Sequence, residues 1–252
     1  MSRWRLEPGS VVVGDLHLDP ARAEDAADFV AWVGALEGPA LVVVGDLFDA
    51  WVGRGHEDSP GGAAVIEAFR DATARGVAVH LLHGNRDFLL GESFERRSGA
   101  RVHPDGMEVE LGDGTHLLLV HGDELCTRDL AYQRLRRVLR SGPVIGLAER
   151  VPLALSQRVA RRLRRASVAA VAAKPSAEKA MQEDAVRRLA RERGAGIVLC
   201  GHAHRSRDER LSDGPRWIVL DAYGGRLDVA RVGEQGLGLE SSGTRDRETA
   251  PA

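Results

Sequence analysis

The sequence predicts a layered α/β fold built on a central sheet, and three observations carry that prediction. Short apolar, β-branched runs at residues 11–13, 41–44 and 77–82 alternate with segments of helical spacing, the pattern of strands and helices stacked in layers. Each run is too short to be a buried helix and ends at a turn. Each turn also carries a residue with an oxygen or imidazole donor, and in open α/β sheets ligands gather where loops leave the carboxyl ends of strands.

Taken in order, residues 11–13 read as a strand leaving through Gly14-Asp15-Leu16-His17, and residues 22–36 as a helix with Ala26, Phe29, Val30 and Val33 on one face. A second buried strand at 41–44 ends in Gly45-Asp46. A second helix at 62–75, with Val65, Ile66 and Phe69 inward, leads to the strand at 77–82 and to His83-Gly84-Asn85-Arg86-Asp87, where Gly84 lets the backbone turn sharply. Residues 107–111 and 116–120 flank Gly112-Asp113-Gly114 and read as a hairpin whose second strand runs into His121. Arg-rich helical text follows at about 132–165 and again at 178–193. Strand 197–200 delivers Gly201-His202-Ala203-His204, and the last strands, 217–220 and 227–232, read as antiparallel. One domain over residues 1–240 is expected, with a helical insertion at about 128–180. Residues 241–252 are polar, lack apolar periodicity and read as a flexible tail.

A 43% hydrophobic content is ample for a core, and a formal net charge of −2 gives no bulk attraction for a polyanion, so nucleic acid is not an expected partner. Charge is unevenly spread, however. Residues 128–179 hold thirteen Lys/Arg against three acids, about +10, which leaves the remainder near −12. Two cysteines, Cys126 and Cys200, with no Cys-x-x-Cys, argue against a disulfide framework or a structural zinc site and read as small buried residues. The first residues lack a signal-peptide core and no run approaches the ~18 apolar residues of a membrane span, so a cytoplasmic location is expected.

Five strand ends therefore carry Asp15 with His17, Asp46, Asn85, His121, and His202 with His204. Any one alone is ordinary turn text. Three oxygen donors and four imidazoles together are the mixture that two adjacent borderline divalent ions require. Asp46, alone on its strand end, is the natural bridging carboxylate. Alternate positions on an extended strand end project the same way, which would aim each Asp/His and His/His pair at one site.

Asp-x-His, Gly-Asp, Gly-Asn-Arg-Asp, His-Gly-Asp and Gly-His-x-His, in this order, resemble the calcineurin-like metallophosphoesterase superfamily. The resemblance implies an α/β/β/α sandwich, with one metal on Asp15, His17, Asp46 and His204 and a second on Asp46, Asn85, His121 and His202, the ions being Mn²⁺. The motifs around Asp46 (residues 45–53), Asn85 (84–91) and His121 (121–133) are more specific and are similar to the UDP-2,3-diacylglucosamine diphosphatase family, over roughly residues 10–232. That similarity implies a lipid A pathway hydrolase cleaving UDP-2,3-diacylglucosamine to UMP and 2,3-diacylglucosamine 1-phosphate (lipid X), by attack of a metal-activated hydroxide on the α phosphate. Asn85, Arg86 and His121 are the residues expected to carry catalysis.

Many superfamily members have histidine where this chain has Arg86. An arginine cannot give up a proton at working pH, but it suits a phosphate leaving group that needs charge neutralisation more than protonation. The resemblance further implies substrate contacts from Asp129, Tyr132, Arg164, Ser167 and Lys174, with Asn85, Arg86 and His202 on the phosphates. It also implies a helical insertion that receives acyl chains. Val171 stands where the family pattern has asparagine. Apolar residues interleaved with arginines in that insertion suit an anionic membrane surface, so peripheral attachment to the inner membrane is expected, as a monomer. The alternative reading is a metallophosphoesterase for a soluble nucleotide or phosphoprotein, which has no need of such an insertion.

Overall fold

The computed structural model describes residues 4–148, 150–158, 162 and 175–243. Two six-stranded mixed sheets lie face to face, where the residue pattern alone suggested one central sheet. The first has the order β12-β11-β2-β3-β4-β5 and the second β1-β6-β7-β8-β10-β9. Their strands are β1 (Trp4–Leu6), β2 (Val11–Val13), β3 (Ala40–Val43), β4 (Ala78–Leu82), β5 (Arg101–His103), β6 (Met107–Leu111), β7 (His116–Leu119), β8 (Ile197–Cys200), β9 (Arg207–Arg210), β10 (Arg216–Val219), β11 (Val229–Gly233) and β12 (Gly236–Glu240).

Side-chain alternation explains the layering. Val11 and Val13 of β2, with Leu41 and Val43 of β3, point outward and are covered by helices α1 (Ala23–Gly34), α2 (Pro60–Ala74) and α3 (Glu92–Ser98) through Phe29, Val33, Val65, Phe69 and Phe94. The residues between them, Val12 and Val42, turn the other way and meet Leu117, Leu119, Leu199 and Ile218 of the second sheet. That sheet's outer face (Leu118, Val198, Cys200, Trp217, Val219) is closed by Ala185, Val186 and Ala190 of a helix at Glu183–Arg193. Four layers result, α/β/β/α, and strands buried on both faces read as continuous apolar runs for this reason.

Several elements depart from the sequence expectation. The Arg-rich text is broken into α4 (Leu130–Leu139), α5 (Gly142–Ala148), a helical stretch at 153–158 and a single turn at Ser176–Lys179; α5 restarts at Gly142-Pro143, where proline fits a first turn, and Pro152 precedes the next stretch. The Glu183–Arg193 helix is separate from that turn. The last strands do not pair with one another. β10 is apolar on both faces and fills an interior place, parallel to β8 and antiparallel to β9, whereas β11 joins the other sheet antiparallel to β2 and β12. Strand β9, Arg207–Arg210, gives no apolar signal at all, since it is an edge strand of charged residues.

β2, β3 and β4 run parallel, as do β7 and β8. The carboxyl ends of these five strands, three from one sheet and two from the other, open onto the same end of the sandwich.

Candidate metal centre

Beyond the last ladder pairs of β2 and β3, the two chains keep company. The amide of Asp15 donates to Gly45 O (3.1 Å), that of His17 to Asp46 O (3.0 Å) and that of Leu18 to Leu47 O (3.0 Å). The backbone there is not extended. Asp15, His17, Asp46, His202 and His204 all adopt left-handed conformations, with φ between 49° and 68°. Left-handed turns, and not the extended strand expected from alternation, therefore aim the side chains of the Asp/His and His/His pairs. Such a backbone costs about 1–2 kcal/mol per residue, and strain of this kind gathers where the surroundings over-determine a functional geometry.

Glycines beside the ligands are there for close approach. A Cβ on Gly84 would lie 2.1 Å from Asp46 Oδ1, and one on Gly201 would lie 2.2 Å from Asp15 Oδ2. His202 fixes that second oxygen further by donating its amide to it at 2.6 Å.

All seven predicted side chains converge, in two groups. In the first, Nε2 of His17 and Nε2 of His204 stand 3.0 Å apart, with Asp15 Oδ1 3.9 Å and 3.4 Å from them respectively. In the second, Asn85 Oδ1 lies 2.9 Å from His121 Nε2 and 3.1 Å from His202 Nδ1. Asp46 sits between, its Oδ2 3.8 Å from His17 Nδ1 and 3.7 Å from His121 Nε2. His121 donates through Nδ1 to Val44 O at 2.9 Å, which directs Nε2 into the site, the outer hydrogen bond typical of a metal-binding imidazole.

These residues fit a divalent cation. His17 Nδ1 is buried with no hydrogen-bond partner among the described residues, and the ligand atoms of Asp15, His17 and His204, and those of Asp15, Asp46 and His121, lie within 4.8 Å of one another. Electrostatics point the same way. Burial would raise the Asp15 carboxyl, but contact with His204 and the field of His121 and His17 outweigh it and bring it down to about 2. Burial, reinforced by Asp87 and Asp15, drives Asp46 up to about 7. Burial opposes a charge on His121, yet Asp46, Asp15 and Asp123 overcome it and raise the imidazole to about 9. Burial, with Arg86, holds His17 down at about 3, and burial, with His121, holds His202 at about 4. Two buried carboxylates thus create a field that demands positive charge, while His17 and His202 remain neutral donors.

Arg86 stands at the rim. Its amide donates to Asp46 Oδ1 (2.9 Å), its Nε lies 3.5 Å from Asp46 Oδ2, and its guanidinium donates to Asp49 Oδ1 at 2.6 Å. Residues 10–206 match the family model of the calcineurin-like phosphoesterases. The chain belongs to that family.

Relatives of this calcineurin-like phosphoesterase include a UDP-2,3-diacylglucosamine hydrolase of Pseudomonas syringae pv. tomato, 34% identical over 236 residues, covering 92% of this chain and 94% of that protein. Another, of Pseudomonas aeruginosa strain PAO1, is 35% identical over 231 residues, covering 88% of this chain and 95% of that one. Among solved structures, a dimetal phosphatase from Danio rerio overlays at TM-score 0.48 with 13% identity, covering 94% of this chain and 98% of that chain.

The phosphoesterase site holds three further residues that the sequence reading did not assign. Asp87 is fully buried and accepts the amides of Leu47 (2.7 Å), Phe48 (3.4 Å) and Gly84 (2.8 Å), tying the Asp46 loop to the Asn85 loop. Asp49 orients Arg86. Buried Asp123 receives the Tyr132 hydroxyl at 2.5 Å and Arg136 Nε at 2.7 Å. The signal for Asp87 and Asp123 was their place inside the Gly-Asn-Arg-Asp and His-Gly-Asp motifs.

Of the expected substrate contacts, Asp129 is buried and accepts the Tyr132 amide (3.0 Å) at the start of α4, and the Tyr132 side chain faces Asp123. Arg164, Ser167 and Lys174, with Val171, lie outside the described residues. Cys126 and Cys200 are buried free thiols, each pushed up to about 12 by burial, which suits packing and not nucleophilic chemistry.

Proposed function

We propose that this chain is a two-metal hydrolase of the pyrophosphate in UDP-2,3-diacylglucosamine, releasing UMP and 2,3-diacylglucosamine 1-phosphate. The observation that carries the reading is the conjunction, at one end of the sandwich, of a seven-residue candidate ligand cluster rimmed by an arginine with a helical segment that has no fully buried side chain. Neither α4 nor α5 has a buried residue, and Leu130, Leu135, Val138 and Leu147 are exposed beside Arg134, Arg136, Arg137 and Arg140. A helix pair serving only its own core would hide that apolar surface, whereas acyl chains and an anionic membrane face both fit it. Full-length relatives named for this substrate support the same assignment.

In this reading Asp15, His17, Asp46 and His204 hold one divalent ion, and Asp46, Asn85, His121 and His202 the other, with Mn²⁺ suited to the mixed O/N donors. When bound, the ions supply charge stabilisation and a water made acidic enough to attack phosphorus near neutral pH. Arg86, oriented by Asp49, neutralises the phosphate that departs, and Asn85 and His202 reach the phosphoryl oxygens. Asp129, Tyr132, Arg164, Ser167 and Lys174 are assigned to recognition of the glycolipid, all from the stretch at about 128–180 within a domain of residues 1–240. No helix among the described residues is long and apolar enough to cross a membrane, and the exposed leucines and arginines favour peripheral attachment at the cytoplasmic face of the inner membrane. The chain is proposed to act as a monomer.

Product analysis with Mn²⁺ tests this directly, using UDP-2,3-diacylglucosamine in detergent beside a sugar nucleotide without acyl chains. UMP released from the acylated substrate alone is expected. Equal cleavage of both, or cleavage of simple phosphoesters only, would leave a phosphoesterase for a soluble substrate and remove the lipid assignment.

A further inference from the structure

The loop carrying Asn85 is gripped from two sides. On the core side, Asp87 Oδ1 accepts the Gly84 amide at 2.8 Å. On the other, Arg140 at the carboxyl end of α4 donates through one terminal nitrogen to the Gly84 carbonyl at 2.9 Å, and that same nitrogen lies 3.6 Å from Asp123 Oδ2. The guanidinium also reaches Pro104 O at 3.5 Å and stands over the Phe88 ring at 6.0 Å. Gly84 C=O and Asn85 N share one rigid peptide plane, so holding that carbonyl sets the plane from which Asn85 leaves. Because no Cβ fits at Gly84, nothing at that residue itself wedges the loop in place.

Arg136 offers an internal comparison. It pairs with the same Asp123 oxygen at 2.7 Å, from one turn earlier on α4, and lies 4.0 Å from Glu124, with no hydrogen bond to Gly84 among the described residues. The two arginines therefore share the ion pair that seats α4 and differ in the grip on the Asn85 loop.

We propose that Arg140 is a positioning residue for the Asn85–His121–His202 half of the centre, holding the Asn85 oxygen in place from the helical lobe, so that its grip on the Gly84 carbonyl sets how tightly that half binds a divalent ion. The proposal rests on the reading of those three residues as metal ligands. Outer hydrogen-bond partners of metal ligands commonly change affinity by about 10- to 100-fold, and a cationic donor on a buried carbonyl belongs among the stronger of them.

The test uses the full chain, stripped of metal and titrated with Mn²⁺ while free Mn²⁺ is counted by electron paramagnetic resonance, with circular dichroism reporting the fold. Unaltered protein should take up two equivalents; uptake of one or none defeats the reading of the centre and, with it, any role for Arg140 in tuning a second ion. Given two equivalents, Arg140→Gln should bind the first as before and the second about 10- to 100-fold more weakly, and Arg136→Gln should bind both as the unaltered protein does. A second equivalent unweakened in Arg140→Gln, equal weakening of both equivalents, or the same loss in Arg136→Gln would overturn the proposal. Should Arg140→Gln not fold, Arg140→Lys carries the comparison: one retained donor should leave a smaller but measurable loss confined to the second equivalent, and unchanged binding would be equally decisive against it.

Discussion

The metal centre and the helical lobe beside it are built on opposite rules. At the centre, Asp15, Asp46 and His121 are buried, five candidate ligand residues are bent into left-handed backbone, and Gly84 and Gly201 are kept from carrying side chains by the carboxylates of Asp46 and Asp15. In the lobe, α4 and α5 hold no fully buried residue, and the lobe is attached at discrete points: Arg136 and Arg140 on Asp123 at one side, and Gln157 of the 153–158 stretch, whose Nε2 lies 3.2 Å from His56 Nε2, at the other. A Cβ on Gly55 would strike Leu153 at 2.8 Å, so that second seat is also close-packed. Chemistry on phosphorus needs atoms fixed to a fraction of an ångström, which burial and strain provide. Capture of a large apolar substrate needs exposed surface, which a fully packed helix pair could not offer.

The sharpest break of this contrast is Asp46→Ala, which removes the carboxylate shared by both ligand groups. Turnover should fall at least about 10³-fold, with the circular dichroism spectrum unchanged; retained activity would sink the two-metal reading. Gly84→Ala should follow, since its methyl would displace Asp46 Oδ1 from 2.1 Å. A shift of that size costs on the order of 10²-fold in kcat, and near-normal turnover would show that the centre is less tightly specified than argued.

The packed half should also be the acid-sensitive one. Burial, with the charges of His103 and Arg101, holds His80 on β4 down at about 4 from 6.5. Between those values the unfolded chain binds the extra proton, so the stability present above pH 6.5 is lost as pH falls towards 4, by about 2–3 kcal/mol. Urea midpoints at pH 7 and pH 4.5 would measure it, and His80→Leu should flatten the difference; an unaltered slope in that variant would assign the effect to other groups.

Arg86→His should lower kcat/KM on the pyrophosphate by about 10- to 30-fold, because a fixed cation for the departing phosphate is lost. An unchanged rate would remove Arg86 from the chemistry. Smallest is the expected effect of Leu135→Ser with Val138→Ser on α4, about 3- to 10-fold on binding to anionic vesicles, given roughly 1 kcal/mol or less for each partly buried apolar side chain. Unchanged vesicle binding would mean that these residues do not serve the membrane surface.

Much of this is legible in the sequence alone. The apolar runs of β2, β3, β4 and β8 announce strands, and the donors at their ends announce a centre, because strand periodicity and turn chemistry are local properties of a few consecutive residues. Val11–Val13 could not reveal that its alternate side chains face two different layers, nor could Arg207–Arg210 reveal a strand, since edge pairing of polar residues leaves no apolar signature.

By itself, then, the sequence determined which seven side chains could serve as ligands, the order of the strands that carry them and the basic, apolar character of the 128–179 segment. Only tertiary structure decided that two sheets share the centre, that left-handed turns aim Asp15, His17, Asp46, His202 and His204, and that Asp49, Asp87 and Asp123 hold Arg86, the Asn85 loop and α4 in place. The reason is distance along the chain: Asp15 to His202 and Gly84 to Arg140 are contacts between residues 187 and 56 positions apart, set by the packing of layers and invisible to any local pattern.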